Sequence, residues 1–138
     1  MGYCSDVVIE MTEWTFNAFL KYVKKAIGHD PFTYLDALGN NSIFNDATLT
    51  RFEDGQVAIQ YSGIKWYDEY PEIKIYYDFV EEMSDANEPK FGMHLTRIGD
   101  DYDDNEYDSW GNITNYAMIE RTIEFWGKTD GQEFELLL

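Results

Sequence analysis

The chain has 138 residues, which is enough for a sizeable hydrophobic core, and we expect one domain spanning residues 1–138. Its formal net charge of −17 opposes binding to nucleic-acid phosphates and anionic membranes, and it attracts basic surfaces. The one cysteine excludes an internal disulfide, and the sequence has neither a signal-peptide pattern nor about 18 consecutive apolar residues, so we expect a cytoplasmic protein without a membrane span.

The first predicted elements are a strand and a helix. Residues 7–11 form a short apolar run with β-branched side chains, which is typical of a strand. Thr12 is a suitable N-cap for the helix that follows, and Gly28 can end it. Between them, apolar side chains recur at helical spacing: Phe16, Phe19, Leu20, Val23 and Ile27. A short additional helix is predicted over residues 30–38, with Pro31 in its first turn.

A β-hairpin and a second main helix are predicted next. Residues 47–53 and 56–62 alternate between apolar and polar side chains, and they flank an Asp-Gly pair that suits a two-residue type I′ turn. Pro71 opens a helix predicted over residues 71–84. Its predicted apolar face carries Ile73, Tyr76, Tyr77, Val80 and Met83. Aromatic residues precede this helix and are expected mainly to cover the sheet: Trp66, Tyr67 and Tyr70.

Two further strands are predicted over residues 91–98 and 116–125. The resulting order, β-α-β-β-α-β-β, predicts a single-domain α+β fold with a mainly antiparallel sheet and two main helices on one face. The same order is compatible with a ferredoxin-like arrangement that has an added edge strand.

Residues 99–110 (GDDYDDNEYDSW), here called the acidic segment, hold six carboxylates and no Lys, Arg or His. One interpretation is a metal-binding loop, because Asp101, Asp103 and Asn105 match the first three ligand positions of an EF-hand loop. However, Glu106 stands where that loop needs glycine, and Asn112 stands where it needs a bidentate glutamate. We therefore expect neither a metal site nor a cofactor.

The signals for catalysis are weak. A Cys4 nucleophile would need His29 or His94 as its base, and the sequence does not place either histidine near it. Residues 127–129 (Gly-Lys-Thr) resemble the end of a P-loop, but Thr122 stands where the first glycine is required. With 27 acidic residues, a pair of carboxylates at any given spacing is uninformative. We expect a protein that is not an enzyme.

Two interpretations of the acidic segment remain. Tyrosine and tryptophan among carboxylates suit an interface, since the rings supply contact area and the carboxylates pair with Lys or Arg. The alternative is a solvated loop that discourages aggregation at a sheet edge. Under the first interpretation, the predicted partner-binding residues are Asp100, Asp101, Tyr102, Asp103, Asp104, Glu106, Tyr107, Asp108 and Trp110.

The first seven residues, Met-Gly-Tyr-Cys-Ser-Asp-Val, resemble the start of a group of small acidic phage and prophage proteins that open Met-Gly-Tyr-x-Ser-x-Val. Residues 64–67 (Ile-Lys-Trp-Tyr) and 97–100 (Arg-Ile-Gly-Asp) resemble later patterns of that group. The resemblance implies a mobile element, where small acidic proteins often antagonise host defence. By class-level analogy, several anti-restriction and anti-CRISPR proteins act as acidic decoys for nucleic-acid-binding surfaces.

Together these observations lead to the expectation of a phage-encoded acidic inhibitor that binds a basic, nucleic-acid-binding host-defence protein in the host cytoplasm. Its target would be a nuclease or CRISPR effector whose basic groove normally holds phosphates. No direct binding to nucleic acid or to a membrane is expected. Two alternatives stay open: an immunity protein that neutralises a basic toxin, and an enzyme with a carboxylate-held metal.

Overall fold

The computed structural model describes residues 4–28, 44, 47–101, 104–119, 123–125 and 132–134. The predicted short helix over residues 30–38 lies outside these residues. The described elements, in chain order, are β1 Ser5–Met11, α1 Glu13–Ile27, β2 Thr48–Arg51, β3 Val57–Ile64, α2 Pro71–Asp85, β4 Gly92–Gly99, β5 Asn105–Gly111, β6 Ala117–Ile119, β7 Ile123–Phe125 and β8 Gln132–Phe134.

Helix α1 begins and ends where its sequence predicts. The side chain of Thr12 accepts a hydrogen bond from the Thr15 backbone N–H at 3.2 Å, which satisfies one of the free donors of the first turn. Gly28 ends the helix in the left-handed region, with φ of 82°, and its N–H donates to the Lys24 carbonyl. Thr15, Phe16, Phe19 and Val23 are buried.

Helix α2 has Pro71 in its first turn, as predicted, but its buried face is broader than the predicted stripe. The buried residues are Ile73, Ile75, Tyr76, Phe79 and Val80. Tyr77 and Met83, which were assigned to the buried face, are only partly buried. The predicted stripe omitted Phe79, although this ring packs at 5.1 Å from Phe19 of α1 between ring centroids. Contact between the helices thus buries a residue that the predicted apolar stripe of α2 did not include.

In the described part of the chain, the main sheet has six strands in the order β5-β4-β1-β3-β2-β8, and every pair is antiparallel. The elements from β1 to β5 follow the predicted order β-α-β-β-α-β-β, so the α+β prediction is confirmed. Strands β1 and β3 lie at the centre of the β4-β1-β3-β2 group, which is compatible with the ferredoxin-like arrangement.

Two strand predictions were wrong in their extent. Residues 105–111, assigned to a loop, form β5, because pairing with β4 gives this polar stretch a partner. The long strand predicted over residues 116–125 is instead the two short strands β6 and β7. They pair antiparallel, with Ala117 opposite Phe125. Strand-forming residues favour a continuous strand and a hairpin equally, so their local pattern did not distinguish the two.

The β2–β3 hairpin was predicted correctly, but its turn was not. The Phe52 N–H donates to the Gln56 carbonyl at 2.9 Å, so the loop between them contains three residues rather than two. Gly55 has φ of 88°, whereas Asp54 does not have positive φ. Asp54 instead accepts a hydrogen bond from the Gln56 N–H at 2.9 Å. This is a type I turn followed by a left-handed glycine, a common three-residue hairpin.

The sheet has two buried faces of different character. The helix face, contacted by both helices, carries apolar strand residues: Val7, Ile9, Met11, Leu49, Ile59, Met93 and Leu95. Trp66 joins this core, as expected for an aromatic residue that covers the sheet. The second face carries a smaller apolar cluster and several buried polar residues: Val8, Glu10, Phe52, Ala58, His94, Thr96 and Ala117. Within the described part of the chain, no helix is long and apolar enough to cross a membrane.

Candidate functional site

The acidic segment lies at one edge of the sheet. It begins at Gly99, the last residue of β4, and continues into β5, which is the outermost described strand on that side. The described carboxylates of this segment are here called the acidic edge: Asp100, Asp101, Asp104, Glu106 and Asp108. Tyr102 and Asp103, which belong to the predicted set, lie outside the described residues.

Arg97 of β4 binds two carboxylates of the acidic edge. Its guanidinium donates to both oxygens of Asp104, at 3.1 and 2.8 Å, and its Nε donates to Glu106 at 3.1 Å. The hydrogen bonds to Asp104 raise the pKa of Arg97. Because a bidentate, charge-assisted contact holds its partners in one geometry, Asp104 and Glu106 have a structural role in the fold.

Other contacts of the acidic edge are also internal. Asp100 accepts a hydrogen bond from the Cys4 backbone N–H at 3.1 Å, which ties the turn to the start of β1. The Tyr77 hydroxyl of α2 donates to Glu106 at 3.3 Å. Burial raises the pKa of Glu106, and its hydrogen bond with Asp108 adds to this effect, while Arg97 opposes it. The prediction from residues 99–110 alone missed these contacts, because Arg97, Cys4 and Tyr77 lie outside that stretch.

The two described aromatic residues of the predicted set differ in exposure. Tyr107 is 51% exposed, more than any other large hydrophobic side chain among the described residues. Its ring packs edge-on against His94, with the centroids 4.4 Å apart, and its hydroxyl accepts a hydrogen bond from Asn115. Trp110 is partly buried against the helix-face core. Tyr107 is therefore the described ring most available for contact with another molecule.

Helix α2 extends the negative charge beyond the acidic edge. Residues 68–88 contain eight carboxylates and one lysine, Lys74, whose ammonium pairs with Asp78 at 2.8 Å. The contact between Tyr77 and Glu106 joins this helix to β5. Helix α1, in contrast, carries Lys21, Lys24 and Lys25 on exposed positions. The charge is thus distributed unevenly, a feature that counting charges along each predicted helix would have shown.

A second candidate lies on the opposite face of the sheet, around Glu10. This carboxyl is fully buried, with Oε2 accepting from the Tyr116 N–H at 2.8 Å and from Gln56 Nε2 at 3.3 Å. Oε1 has no hydrogen-bond partner among the described residues, and the nearest basic atom is His94 Nδ1 at 3.9 Å. That distance is too long for a hydrogen bond. His94 Nδ1 lies 3.3 Å from the Thr96 hydroxyl.

Burial shifts both titratable groups of this cluster toward their neutral forms. It raises the pKa of Glu10 from 4.5 to about 7, against the hydrogen bonds from the backbone of Tyr116 and Ala117 and from Gln56. Burial also lowers the pKa of His94, against the attraction of Asp108. A carboxyl of this pKa exchanges protons near neutral pH, as a general acid or base does.

An open cleft of about 240 Å³ lies beside the Glu10 cluster. Its lining includes Glu13, Asp54, Gln56, Asn112 and Thr114. The Gln56 amide donates to both Glu10 and the Thr114 carbonyl, so Gln56 separates the buried carboxyl from the cleft. Since Glu10 is 0% exposed, a molecule in this cleft does not reach its oxygens in this structure. We therefore assign the Glu10 cluster to the buried interior of the second face and not to a binding site.

The hypothesis of a Cys4 nucleophile with His94 as its base can be placed on the structure. Cys4 precedes β1, and His94 pairs with Glu10 in the ladder, six residues further along that strand. At about 3.3 Å per residue, they lie roughly 20 Å apart, too far for a nucleophile and its base. His29 and residues 127–129 lie outside the described residues.

The metal hypothesis gains no geometric support. Among the residues that the structure describes, no group of three His, Cys, Asp or Glu side chains is arranged to hold a metal ion. Asp103, one of the three EF-hand-like positions, is not among them.

Comparison of the chain with protein-family models, curated proteins and solved structures finds no match.

Proposed function

We propose that this protein is a non-catalytic binding protein that docks its acidic edge onto a basic surface of another protein. In the setting suggested by the phage-like opening residues, the partner is a nucleic-acid-binding host-defence protein, such as a nuclease or CRISPR effector. The carboxylates would take the places of phosphates in the partner's basic groove.

The observation that carries the proposal is Tyr107, 51% exposed on the edge strand β5. A tyrosine at such a position is a good anchor for an interface, because it offers a large rigid area with little loss of conformational freedom. Asp101 is exposed, and Asp108, the residue that follows Tyr107, is half-buried. This combination of an aromatic ring and carboxylates supports contact with Lys or Arg side chains.

The fixed geometry of the edge and the net charge add to this argument. Arg97 holds Asp104 and Glu106 in place, so less side-chain freedom is lost when a partner binds. The net charge of −17 gives a field that accelerates association with a cationic surface and repels nucleic acid. A partner whose groove is basic would therefore be favoured over most other proteins.

The test compares two variants that change the net charge by the same amount. Asp101→Asn with Asp108→Asn alters the acidic edge, and Asp68→Asn with Glu69→Gln alters the turn before α2. Wild type and both variants are immobilised, exposed to a bacterial lysate at about 0.1 M salt, and eluted with a short DNA duplex. Eluted proteins are identified by mass spectrometry, and their affinities are then measured with purified material.

We expect the wild type to retain a basic nucleic-acid-binding protein that the duplex displaces. The Asp101/Asp108 variant should bind this protein at least about tenfold more weakly, equal to about 1.4 kcal/mol, and the control variant should bind it as the wild type does. Equal affinity of both variants would place the interface elsewhere. Retention of proteins that the duplex does not displace would contradict the decoy role.

A further inference from the structure

The two edges of the main sheet differ in their pairing. On one side, β8 pairs with β2, with Leu49 opposite Phe134. On the other side, β5 pairs with β4 alone among the described strands. The outer backbone groups of an edge strand are donors and acceptors that another extended chain can use. The side of the sheet that carries the acidic edge is therefore also the side whose outer strand has no second partner among the described strands.

The register identifies which groups of β5 point outward. Ile98 lies opposite Asn105, so Gly99 lies opposite Asp104 in the same register. The Gly99 N–H donates to the Asp104 carbonyl at 2.7 Å, which makes these two residues a hydrogen-bonded pair. Hydrogen-bonded pairs alternate along an antiparallel ladder, so Glu106 and Asp108 direct their backbone groups toward β4. The backbone groups of the intervening residues point away from the sheet: Asn105, Tyr107 and Ser109.

The side chains of β5 alternate between the two faces of the sheet. Glu106 and Asp108 lie on the helix side and are half-buried, whereas Tyr107 and Ser109 lie on the second face and are exposed. A strand added beside β5 would place every second side chain next to the two carboxylates. Lys or Arg at those positions would pair with them, and the intervening residues would lie beside Tyr107.

A second copy of this chain is a poor occupant of the edge. In antiparallel self-pairing centred on Tyr107, Glu106 of one copy would face Asp108 of the other, twice. Pairing centred on Asp108 would place the two Asp108 carboxylates directly opposite each other. Like charges in these positions destabilise a sheet, and the net charge of −17 adds repulsion between copies.

We propose that the outer edge of β5 accepts an extended segment of a basic partner as an added strand, with Lys or Arg at every second residue of that segment. This inference rests on the proposed function and specifies its binding mode. Backbone hydrogen bonds to Asn105, Tyr107 and Ser109 supply affinity, and the alternating cations supply specificity.

The experiment uses two synthetic peptides of about eight residues with the same Lys and Thr composition. One alternates Lys and Thr, and the other groups its lysines together. Their affinities are measured by titration, and amide hydrogen exchange is followed by NMR. We expect the alternating peptide to bind at least tenfold more tightly and to slow exchange at Tyr107 and Ser109. Exchange at Glu106 and Asp108 should change little, because their N–H groups already face β4.

Two further measurements, here called the blocking arms, test the backbone contacts by removing N–H donors from β5 or from the peptide. Ser109→Pro removes an outward N–H without removing a bond to β4, and proline is tolerated in such positions on edge strands. It should weaken the alternating peptide at least tenfold, while Ser109→Ala should bind it as the wild type does. An alternating peptide N-methylated at every second residue should also lose binding, and this arm does not depend on the folding of the proline variant.

The outcomes separate this inference from the proposed function. If both peptides bind equally and neither blocking arm weakens them, strand addition is wrong. The decoy role is then tested separately, by whether the DNA duplex displaces a partner bound from the lysate. If the alternating peptide binds as expected but Asp101→Asn with Asp108→Asn leaves the lysate partner unaffected, strand addition stands and the proposed function is wrong.

Discussion

The two faces of the central sheet use the same strands but are stabilised in different ways. On the helix face, Val7, Ile9 and Met11 of β1 are fully buried against apolar and aromatic side chains from both helices. On the second face, the intervening residue Glu10 is just as buried, but its neighbours are His94, Gln56 and the backbone of Tyr116. Burial is therefore complete on both faces, and the chemistry of the buried groups differs.

This difference has an energetic consequence. Removing apolar surface from water stabilises the helix face by about 25 cal/mol per Å² buried. Burying Glu10 disfavours its charged form and leaves Oε1 without a hydrogen-bond partner among the described residues. The second face thus stabilises the fold less, and its contribution depends on pH.

The largest effect is expected for a cavity in the helix face. Phe19 is fully buried, stacks on Tyr76 at 4.9 Å and meets the edge of Phe79 at 5.1 Å. Phe19→Ala should lower the free energy of unfolding by about 3–5 kcal/mol, measured by urea denaturation. The matched control is Phe52→Ala on the second face, where the ring packs against Tyr116. An equal or larger loss for Phe52→Ala would contradict the contrast between the faces.

The next effect concerns the pH dependence of Glu10. Its pKa is about 7 in the folded protein and 4.5 in the unfolded reference, so the folded state binds more protons between these values. Stability from this group is therefore present below about pH 4.5 and is lost as the pH rises through about 7, with a total of about 3 kcal/mol. Glu10→Gln should match the wild type near pH 4.5 and exceed its stability by up to that amount near pH 8.

His94 also makes stability depend on pH, and it is present in both the wild type and Glu10→Gln. Its lowered pKa acts in the opposite direction, since it stabilises the folded state above about pH 6.5 and this stability is lost as the pH falls. Subtracting the unfolding free energy of the wild type from that of Glu10→Gln at each pH removes most of the His94 contribution. A difference that does not grow from about pH 5 to about pH 8 would show that the buried carboxyl carries no such cost.

A smaller effect is expected at the acidic edge. The sequence alone suggests that neutralising its carboxylates leaves stability unchanged or improves it, but Arg97 binds Asp104 through both oxygens. Asp104→Asn should lower the free energy of unfolding by about 1 kcal/mol, a value reduced by partial exposure of the pair. Asp108→Asn should be neutral or slightly stabilising, because it removes repulsion with Glu106. Thermal melts of the two variants distinguish the carboxylate that Arg97 binds from one that Arg97 does not bind.

The smallest effect on stability is expected for Tyr107→Ala. The ring is half exposed and packs edge-on against His94, a contact worth about 0.5–1.5 kcal/mol, and the lower value applies to an exposed ring. Partner binding should weaken at least tenfold in the same variant. A large loss of stability, measured by urea denaturation, would instead make Tyr107 a cover for the Glu10 cluster.

The helices, the first strands and the fold class could be predicted from the amino-acid sequence. Local chemistry is sufficient there: Thr12 and Gly28 cap α1, Pro71 starts α2, and apolar periodicity marks part of each buried helix face. It also located the acidic segment, because carboxylate density is visible in any window of the chain. Each of these signals involves residues a few positions apart.

The contacts of the acidic segment could not be predicted from the sequence, because they depend on the tertiary structure. Residues 105–111 have little strand propensity and become β5 because β4 offers them a partner. Arg97, Cys4 and Tyr77 come from three other parts of the chain to bind carboxylates that appeared free in the sequence. The same holds for Glu10, whose pKa is raised by burial and whose carboxyl accepts a hydrogen bond from the Tyr116 N–H, more than 100 positions away. Such contacts follow from strand order, which short-range patterns do not encode.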